Sequence, residues 1–312
     1  LYTNNFSSLE TGMGRYGIML SDDGLILDDG VSFKLGENHY FMSTSTGFAD
    51  RVNQHMEFFL QTHRPDWKVK ITTVTTQWAN ATLCGPRARE VLTALGTDID
   101  LSNEAFPFMA MRSGRVAGFD ARVCRVSFTG ELSFEINVRS RDALALWEKI
   151  IEVGQAFDLV PIGSEANHVL RVEKGFLSLG HEADSTADPY DLGMGWIMSK
   201  TKPDFLGKRA VEIRRAAVPR RRELVGLLPD DPDELIDENA PITPGGRLEK
   251  SEGFVTACVW SVVNKRVIAL ALLEDGRNRM DETIYIRRKD RVVTAKVTAP
   301  CFHDAEGKRL RG

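Results

Sequence analysis

The stretch RYGIMLSDDGLILDDGVSFKLGENHYFMS, residues 15–43, decides how the chain is to be read. Three apolar runs, RYGIML, LILDDGVSFKL and HYFMS, are separated by turn formers at SDDG and GEN, the pattern of an antiparallel meander of consecutive hairpins. The tripeptide Asp-Asp-Gly occurs twice. Asp22-Asp23-Gly24 sits in the first turn, whereas Asp28-Asp29-Gly30 interrupts a strand. Acidic residues are depleted in strands, because an ionised carboxylate buried without a partner costs far more than strand packing returns. Either the backbone turns at Asp28-Asp29-Gly30 or a bulge re-aims one carboxylate, and the immediate return of the apolar pattern in VSF suits the bulge. Neighbouring strand residues face opposite sides, so one of the two acids enters a given pocket. Composition does not choose which.

Beyond this meander the period changes. Val52, Met56, Phe59 and Leu60, with His55, fall on one face of a helix that Pro65 stops. VKITTVT (69–75) reads as a strand, followed by ATLCGP and a short helix ending at Gly96. Residues 114–138 repeat the hairpin pattern, with turns expected at Gly-Phe-Asp and Thr-Gly-Glu. Helices follow at RDALALWEKIIEVGQAF and at GSEANHVLRVEKG, the second closed by Gly175 as a C-cap. HEADSTADPYDLGMG is a polar Pro/Gly loop.

From Arg222 onward RELVGLL, GFVTACVWSVV, RVIALALLE, TIYIRR and RVVTAKVTAP are short strands without helical periodicity between them, which predicts a separate antiparallel sheet or barrel. VEIRRAAVPRRRE makes the hinge, with Pro219 ending the helix. Strands followed by helices without strict alternation predict an α+β fold: antiparallel sheets with packed helices over 1–218, then a small C-terminal antiparallel β-barrel over 219–312.

At 312 residues, 42% of them hydrophobic, the chain fills the cores of two or three layers or domains. Forty Lys plus Arg against 44 Asp plus Glu give a net charge of −4, which supplies no general attraction to nucleic acid or anionic membrane. No apolar run reaches the length of a membrane span. Cys84, Cys124, Cys258 and Cys301 are widely spaced and mostly sit in apolar runs, as buried thiols of a reducing, cytoplasmic compartment do.

Several motifs carry less than they suggest. GMGRYG (12–17) matches G-x-G-x-x-G, with Glu37 at the distance of a ribose-binding acid, but it follows polar NNFSSLET and leads into YGIML. A dinucleotide fingerprint must follow a strand and open a helix, so this reads as a glycine-rich loop without a cofactor. The six histidines show no paired ligand spacing, and no metal site is expected. Arg214, Arg215, Arg220, Arg221 and Arg222 read as the solvated face of a helix and its exit, and Met109 and Met111 as core. In SFTGELSFEINV, Leu132, Phe134, Ile136 and Val138 line one strand face and Glu131, Ser133, Glu135 and Asn137 the other. That polar face is either solvated, or Glu135 accepts paired N–H donors from a heterocycle such as an aminopyrimidinone.

Taken together, YGIMLSDDGLILDDGVSF, SFTGELSFEINV, VLRVEKGF and DPYDLGMGWIMSKTKPDFLGKRA resemble, in order and spacing, the folate-binding aminomethyltransferases, the family of the glycine cleavage T-protein. Within it, RYGIML, LRVEKGF, KTKPDFLGKRA, ELVGLLPDDP and FHDAEGKRLRG are most similar to the C-terminal region of heterotetrameric sarcosine oxidase alpha subunits. The resemblance covers essentially the whole chain. It implies that Asp29, matching the second Asp of the family's Asp-Asp motif, is the catalytic acid beside the folate nitrogen that receives a one-carbon unit. It places Tyr16, Phe128 and Glu135 with Asp29 in the tetrahydrofolate site, Phe128 packing on the pterin. It also implies sarcosine oxidase beta and smaller subunits as partners, with flavin and NAD elsewhere in that complex, and an isolated chain that does not oxidise sarcosine.

The resemblance has departures. The T-protein tyrosine after the Asp-Asp motif is Phe33 here, and a folate-holding arginine falls on Asn167. The family's first strands and helix are absent before Leu1, so the chain is expected to be a piece of a longer subunit. Two other functions stand beside this one: a self-sufficient aminomethyltransferase acting on a lipoyl-bound group, and a non-catalytic folate-fold module for assembly.

Overall fold

The computed structural model describes residues 1–246 and 250–312. The predicted meander is present as β1 (Gly14–Leu20), β2 (Ile26–Gly36) and β3 (His39–Met42), an antiparallel sheet in that order. β2 does not turn at Asp28-Asp29-Gly30. The register runs Ile18↔Asp29 and Met19↔Asp28, then slips so that Leu20 opposes Ile26, leaving Leu27 as the extra residue of a bulge. The kink therefore lies one residue before the paired acids, and the strand carries both of them.

α1 (Ala49–His63) packs Val52 against Met19 and Leu27. The expected strand at 69–75 does not form; residues 67–74 are irregular and Val69 is exposed. The alternation in VKITTVT breaks phase between Ile71 and Val74, so the segment has no single apolar face to offer a sheet. The strand begins instead at Trp78, whose ring is covered by the guanidinium groups of Arg122 and Arg139 at 4.3 and 4.6 Å.

The second sheet contains β4 (Trp78–Cys84), β5 (Met111–Val116), β6 (Phe119–Cys124) and β7 (Ser133–Arg139), ordered β4-β7-β6-β5 and antiparallel throughout. α2 (Ala88–Ala94) and α3 (Ala143–Gly154) cover one face, burying Leu92, Leu146 and Ile150 against Phe134 and Ile136. The β5–β6 turn is at Ala117-Gly118, with φ of 50° and 86°, and not at Gly-Phe-Asp. Two successive left-handed residues are what a tight two-residue hairpin requires, so Phe119 and Asp120 stay in the strand.

α4 (Ser164–Lys174) ends at Gly175, which has φ 66° as a C-cap should. α5 (Lys208–Ala217) leads into β8 (Arg222–Pro229), β9 (Pro241–Thr243), β10 (Gly253–Ser261), β11 (Arg266–Glu274), β12 (Thr283–Arg287) and β13 (Val292–Thr298). These close as a barrel in the order β10-β11-β8-β13-β12-β9, filled by Val225, Leu227, Ile242, Val255, Ile286 and Val297 among others. The fold is α+β with a closed C-terminal antiparallel barrel. β9 escapes sequence reading because it is three residues long and begins with Pro241.

The outer surface of the barrel also buries apolar residues. Ala257, Ile268 and Leu270 pack in one cluster with Ile18, Leu20, Val172 and Phe205 from the preceding elements. Polar groups follow the same seam: Arg171 Nη1 donates to Glu182 at 2.6 Å, Thr256 Oγ1 donates to Glu182 at 2.8 Å, and Ser261 Oγ donates to Glu173 at 2.6 Å. The arginines before the barrel are not all solvated, contrary to the sequence reading. Arg221 is mostly buried and grips Asp191, its Nε donating to Oδ1 at 2.6 Å, while Arg215 lies 4.3 Å over the Tyr190 ring. A lone charge in that position would be unfavourable; the two buried aspartates Asp188 and Asp191 draw it in.

Candidate functional site

A cavity of about 1070 Å³ opens where β1, β2, the end of α4, the 192–200 segment and the segment after the barrel meet. Its walls include Tyr16, Asp29, Met109, Phe128, Lys174 and Trp196. Arg15, Lys200 and Arg311 add positive charge to the lining. The volume suits a drug-sized organic molecule, with aromatic walls and a few convergent polar groups.

Asp29 is the acid that faces this space. Tyr16, two residues into β1's register from Ile18, places its hydroxyl on the same side and donates to Asp29 Oδ2 at 2.6 Å. Ser45 Oγ donates to Oδ1 at 3.1 Å. Burial raises the Asp29 carboxyl against the lowering effect of those two donors, and burial with the nearby acid holds the Tyr16 phenol well above its ordinary value. Asp29 is thus a half-buried carboxylate, fixed in orientation, with tyrosine kept neutral beside it.

Gly30 explains how Ser45 arrives. A side chain there would meet the Ser43 carbonyl at 2.0 Å, so only glycine lets the chain after β3 press against β2. Ser43 N–H then donates to Val31 O at 2.9 Å, and the next two residues bring Ser45 over the acids. Asp28 points away from the cavity and is fully buried.

Phe128 lines the cavity and is exposed. Glu135 is not in the lining. It sits in β7 opposite Cys124, whose apolar cluster includes Phe33 and Val126, and Val126 does line the cavity. The polar face of β7 is not solvated: Ser133 and Asn137 are buried and Glu135 is half-buried. Burial pushes the Glu135 carboxyl up to about 7, and no hydrogen bond reaches it among the described residues.

Met109 packs against the Phe33 and Met111 cluster, as core residues do, and also forms cavity wall, with φ 68°. Its carbonyl accepts from Gly14 N–H at 2.6 Å, and its N–H donates to Arg125 O at 2.8 Å, so both neighbours hold the unfavourable backbone in place. Phe33 is buried in the wedge between the two sheets, where Gly14 makes room for its ring, and neither it nor Asn167 reaches the cavity. In GMGRYG, Gly14 and Gly17 belong to β1; the segment is mostly strand and not a loop. Gly17 admits the Tyr2 ring, which a Cβ would meet at 2.8 Å.

Sequence reasoning missed Ser45, Lys174 and Trp196. Ser45 had no signal beyond STSTG after a hairpin, but Lys174, last before the Gly175 cap, was marked by a charged residue in a helix that must turn sharply into the next segment. Lys174 is nearly buried, with Nζ donating to Asp304 O at 2.6 Å. All four cysteines are free thiols. Among the described residues no group of three or more His, Cys, Asp or Glu is arranged to hold a metal ion, and no helix is long and apolar enough to cross a membrane.

Comparison with known proteins agrees with this fold. The family model of the GCVT N-terminal domain matches residues 1–202, and that of the glycine cleavage T-protein C-terminal barrel domain matches 222–304. The chain is 39% identical to the sarcosine oxidase subunit alpha of Corynebacterium sp. (strain U-96), over 100% of this chain and 33% of that protein. It therefore spans about a third of the length of the sarcosine oxidase alpha subunits it matches. It is 32% identical to the aminomethyltransferase of Clostridium botulinum (strain Okra / Type B1), over 93% of this chain and 76% of that protein. The solved glycine cleavage system aminomethyltransferase T from Bartonella henselae shares the fold, with a TM-score of 0.82 at 22% identity over 97% of this chain and 80% of that one.

Proposed function

The chain belongs to the glycine cleavage T-protein family, carrying its N-terminal domain and C-terminal barrel in order, and on that premise we propose that it is the tetrahydrofolate-binding part of a sarcosine oxidase alpha subunit. In this reading the methyl carbon of oxidised sarcosine, arriving as iminium or as formaldehyde, bridges two folate nitrogens and leaves as 5,10-methylenetetrahydrofolate, with glycine departing from the iminium or water from the formaldehyde. The reading divides the chain near residue 219, and gives it beta and smaller subunits as partners that bear the oxidative chemistry.

One observation carries the proposal: a carboxylate, Asp29, fixed by Tyr16 and Ser45 at the wall of a cavity large enough for a folate. The residues present fit that ligand. Phe128, Tyr16 and Trp196 offer aromatic faces, and Arg15, Lys200 and Arg311 offer charge opposite in sign to the carboxylates of a glutamyl tail. Glu135, a half-buried carboxylate without a hydrogen-bond partner among the described residues, stands outside the cavity lining behind Val126, so its role as acceptor for the paired N–H groups of a pterin edge rests on the family resemblance and not on the cavity wall.

Bound tetrahydrofolate supplies the nucleophilic nitrogens that take up the carbon. Asp29 then has two tasks. Its charge stabilises a cationic iminium, and its Oδ accepts the proton released as a nitrogen–carbon bond forms. Tyr16 and Ser45 keep that oxygen aimed into the cavity.

Titration of the purified chain with reduced folate, followed by fluorescence or calorimetry, tests the reading. Saturable one-to-one binding is expected, weakened in Glu135→Ala. A folded chain that does not bind reduced folate would leave an assembly module in its place. Turnover of a lipoyl carrier protein's aminomethyl group would favour the self-sufficient aminomethyltransferase.

A further inference from the structure

Asp28 stands on the far side of β2 from the cavity, yet it is joined to the site. Its side chain is 0% exposed; Oδ1 accepts the Ser45 backbone N–H at 3.4 Å, and Oδ2 is sealed from solvent without a partner. Ser45 therefore touches both acids, through its N–H to Asp28 and its hydroxyl to Asp29. We propose that Asp28 and Asp29 form a carboxyl pair sharing one proton across Ser45, Asp28 holding it while Asp29 stays ionised toward the cavity. The folate reading enters only in what the ionised Asp29 then does; the pair itself belongs to the protein without ligand.

The partners are unequal. Asp29 receives two O–H donors, one of them at 2.6 Å, whereas the hydrogen bond that Asp28 receives is a long one from the Ser45 backbone, with weaker help from the Ser45 hydroxyl and the Asp29 N–H. An ionised carboxylate offers about four lone-pair sites, so Asp28 is poorly served as an anion and is better accommodated as a neutral acid. Two neighbouring like charges in a buried place do not both ionise readily, and the less well-solvated member takes the proton. Burial, then the charge of Asp29, push the Asp28 carboxyl up to about 7.

No cation dissolves the pairing: neither acid makes a salt bridge among the described residues. The other titratable groups coupled to Asp28 are Tyr16 from β1 and Tyr2 from the N-terminal segment, both pushed upward by burial and by these acids, hence neutral. From α1, Val52 enters the cluster beside Leu27, and His55 is coupled instead to Asp22 and Arg51. Asp28 is accordingly a positioning residue that acts through Asp29. Above the upper step both are charged, Asp29 binds a proton more tightly, and it returns that proton more slowly.

Infrared difference spectroscopy of the ligand-free chain reads the pair directly. The wild-type protein should show a buried protonated-carboxyl band that vanishes as pH rises through about 7 and is missing in Asp28→Asn; Glu135→Gln removes the other carboxyl that titrates there. Thermal denaturation gives an independent sign. A folded-state value above the unfolded one means that wild type loses stability from about pH 4 to about pH 7, so the melting temperature of Asp28→Asn should rise relative to wild type across that window and level off above it.

If Asp28→Asn does not fold, Ser45→Ala serves. Loss of its hydroxyl donor should move the lower titration step of the pair upward. An infrared band indifferent to Asp28, or steps unmoved by Ser45→Ala, overturns the proposal. In the loaded protein, Asp28→Asn should remove the alkaline limb of the transfer profile, which a merely structural loss would only scale down. Failure to bind reduced folate leaves the infrared result intact and overturns only the functional reading.

Discussion

Replacing Asp29 with Asn keeps the shape of the side chain and its bonds within reach of Tyr16 and Ser45, but removes the charge and the proton acceptor. Losing a positioned proton-transfer group lowers a rate by about 10²–10⁴-fold. Asp29→Asn should therefore bind reduced folate close to normally and lose methylene transfer by that factor, measured as single-turnover formation of methylenetetrahydrofolate; an unchanged rate rejects the role. At this scale the sequence was partly legible. A pair of acids inside an apolar strand announces that at least one is needed, since packing alone would not keep them. Which acid faces the cavity depends on the bulge at Leu27 and on Ser45 arriving from another segment, and neither is written in the local pattern. Glu135 shows the same limit: alternation assigned it to the polar face correctly, yet that face is covered by the wedge between the sheets.

Among the elements, β2 and the segment after β3 form one unit whose spacing Gly30 controls. A methyl group at residue 30 would lie 2.0 Å from the Ser43 carbonyl, a backbone atom that cannot rotate away. Gly30→Ala should lower stability by about 1–3 kcal/mol, in the range of overpacked interiors, and should displace Ser45 from both acids. A chemical denaturation midpoint equal to wild type would show that the segment yields freely. The strands with clear alternation and the helices with caps, such as α4 with Gly175, were readable because period and punctuation agree. The run at 69–75 misleads because β-branched residues favour extended backbone whether or not a partner strand exists, and that propensity masks the break in alternation between Ile71 and Val74.

In the whole molecule, the barrel is bound to the rest by buried charge as well as by apolar packing. Arg171 and Glu182 are almost completely buried, and Thr256 of β10 completes the network. Removing one member leaves the other charge uncompensated, so Arg171→Met should destabilise the protein by about 3–5 kcal/mol, whereas the double change Arg171→Met with Glu182→Gln should recover a large part of it. Urea denaturation of the two variants beside wild type decides the matter; equal losses for single and double would mean that packing, not charge, dominates. Barrel and cavity both depend on contacts between segments remote in sequence. A small antiparallel barrel is expected from the run of short strands, but its strand order is not, and the seam in which Arg221 serves Asp191 is hidden within what reads as a solvated basic run.

The cavity wall begins at Asn4 and ends at Arg311, drawing on β1, β2, the end of α4, β8 and the loops at 126–128, 192–200 and 301–307. A molecule seated there would act as a keystone. Its arrival should slow amide exchange in β1, in residues 192–200 and in residues 305–311 together, so that parts of the chain with no bond between them gain protection in step.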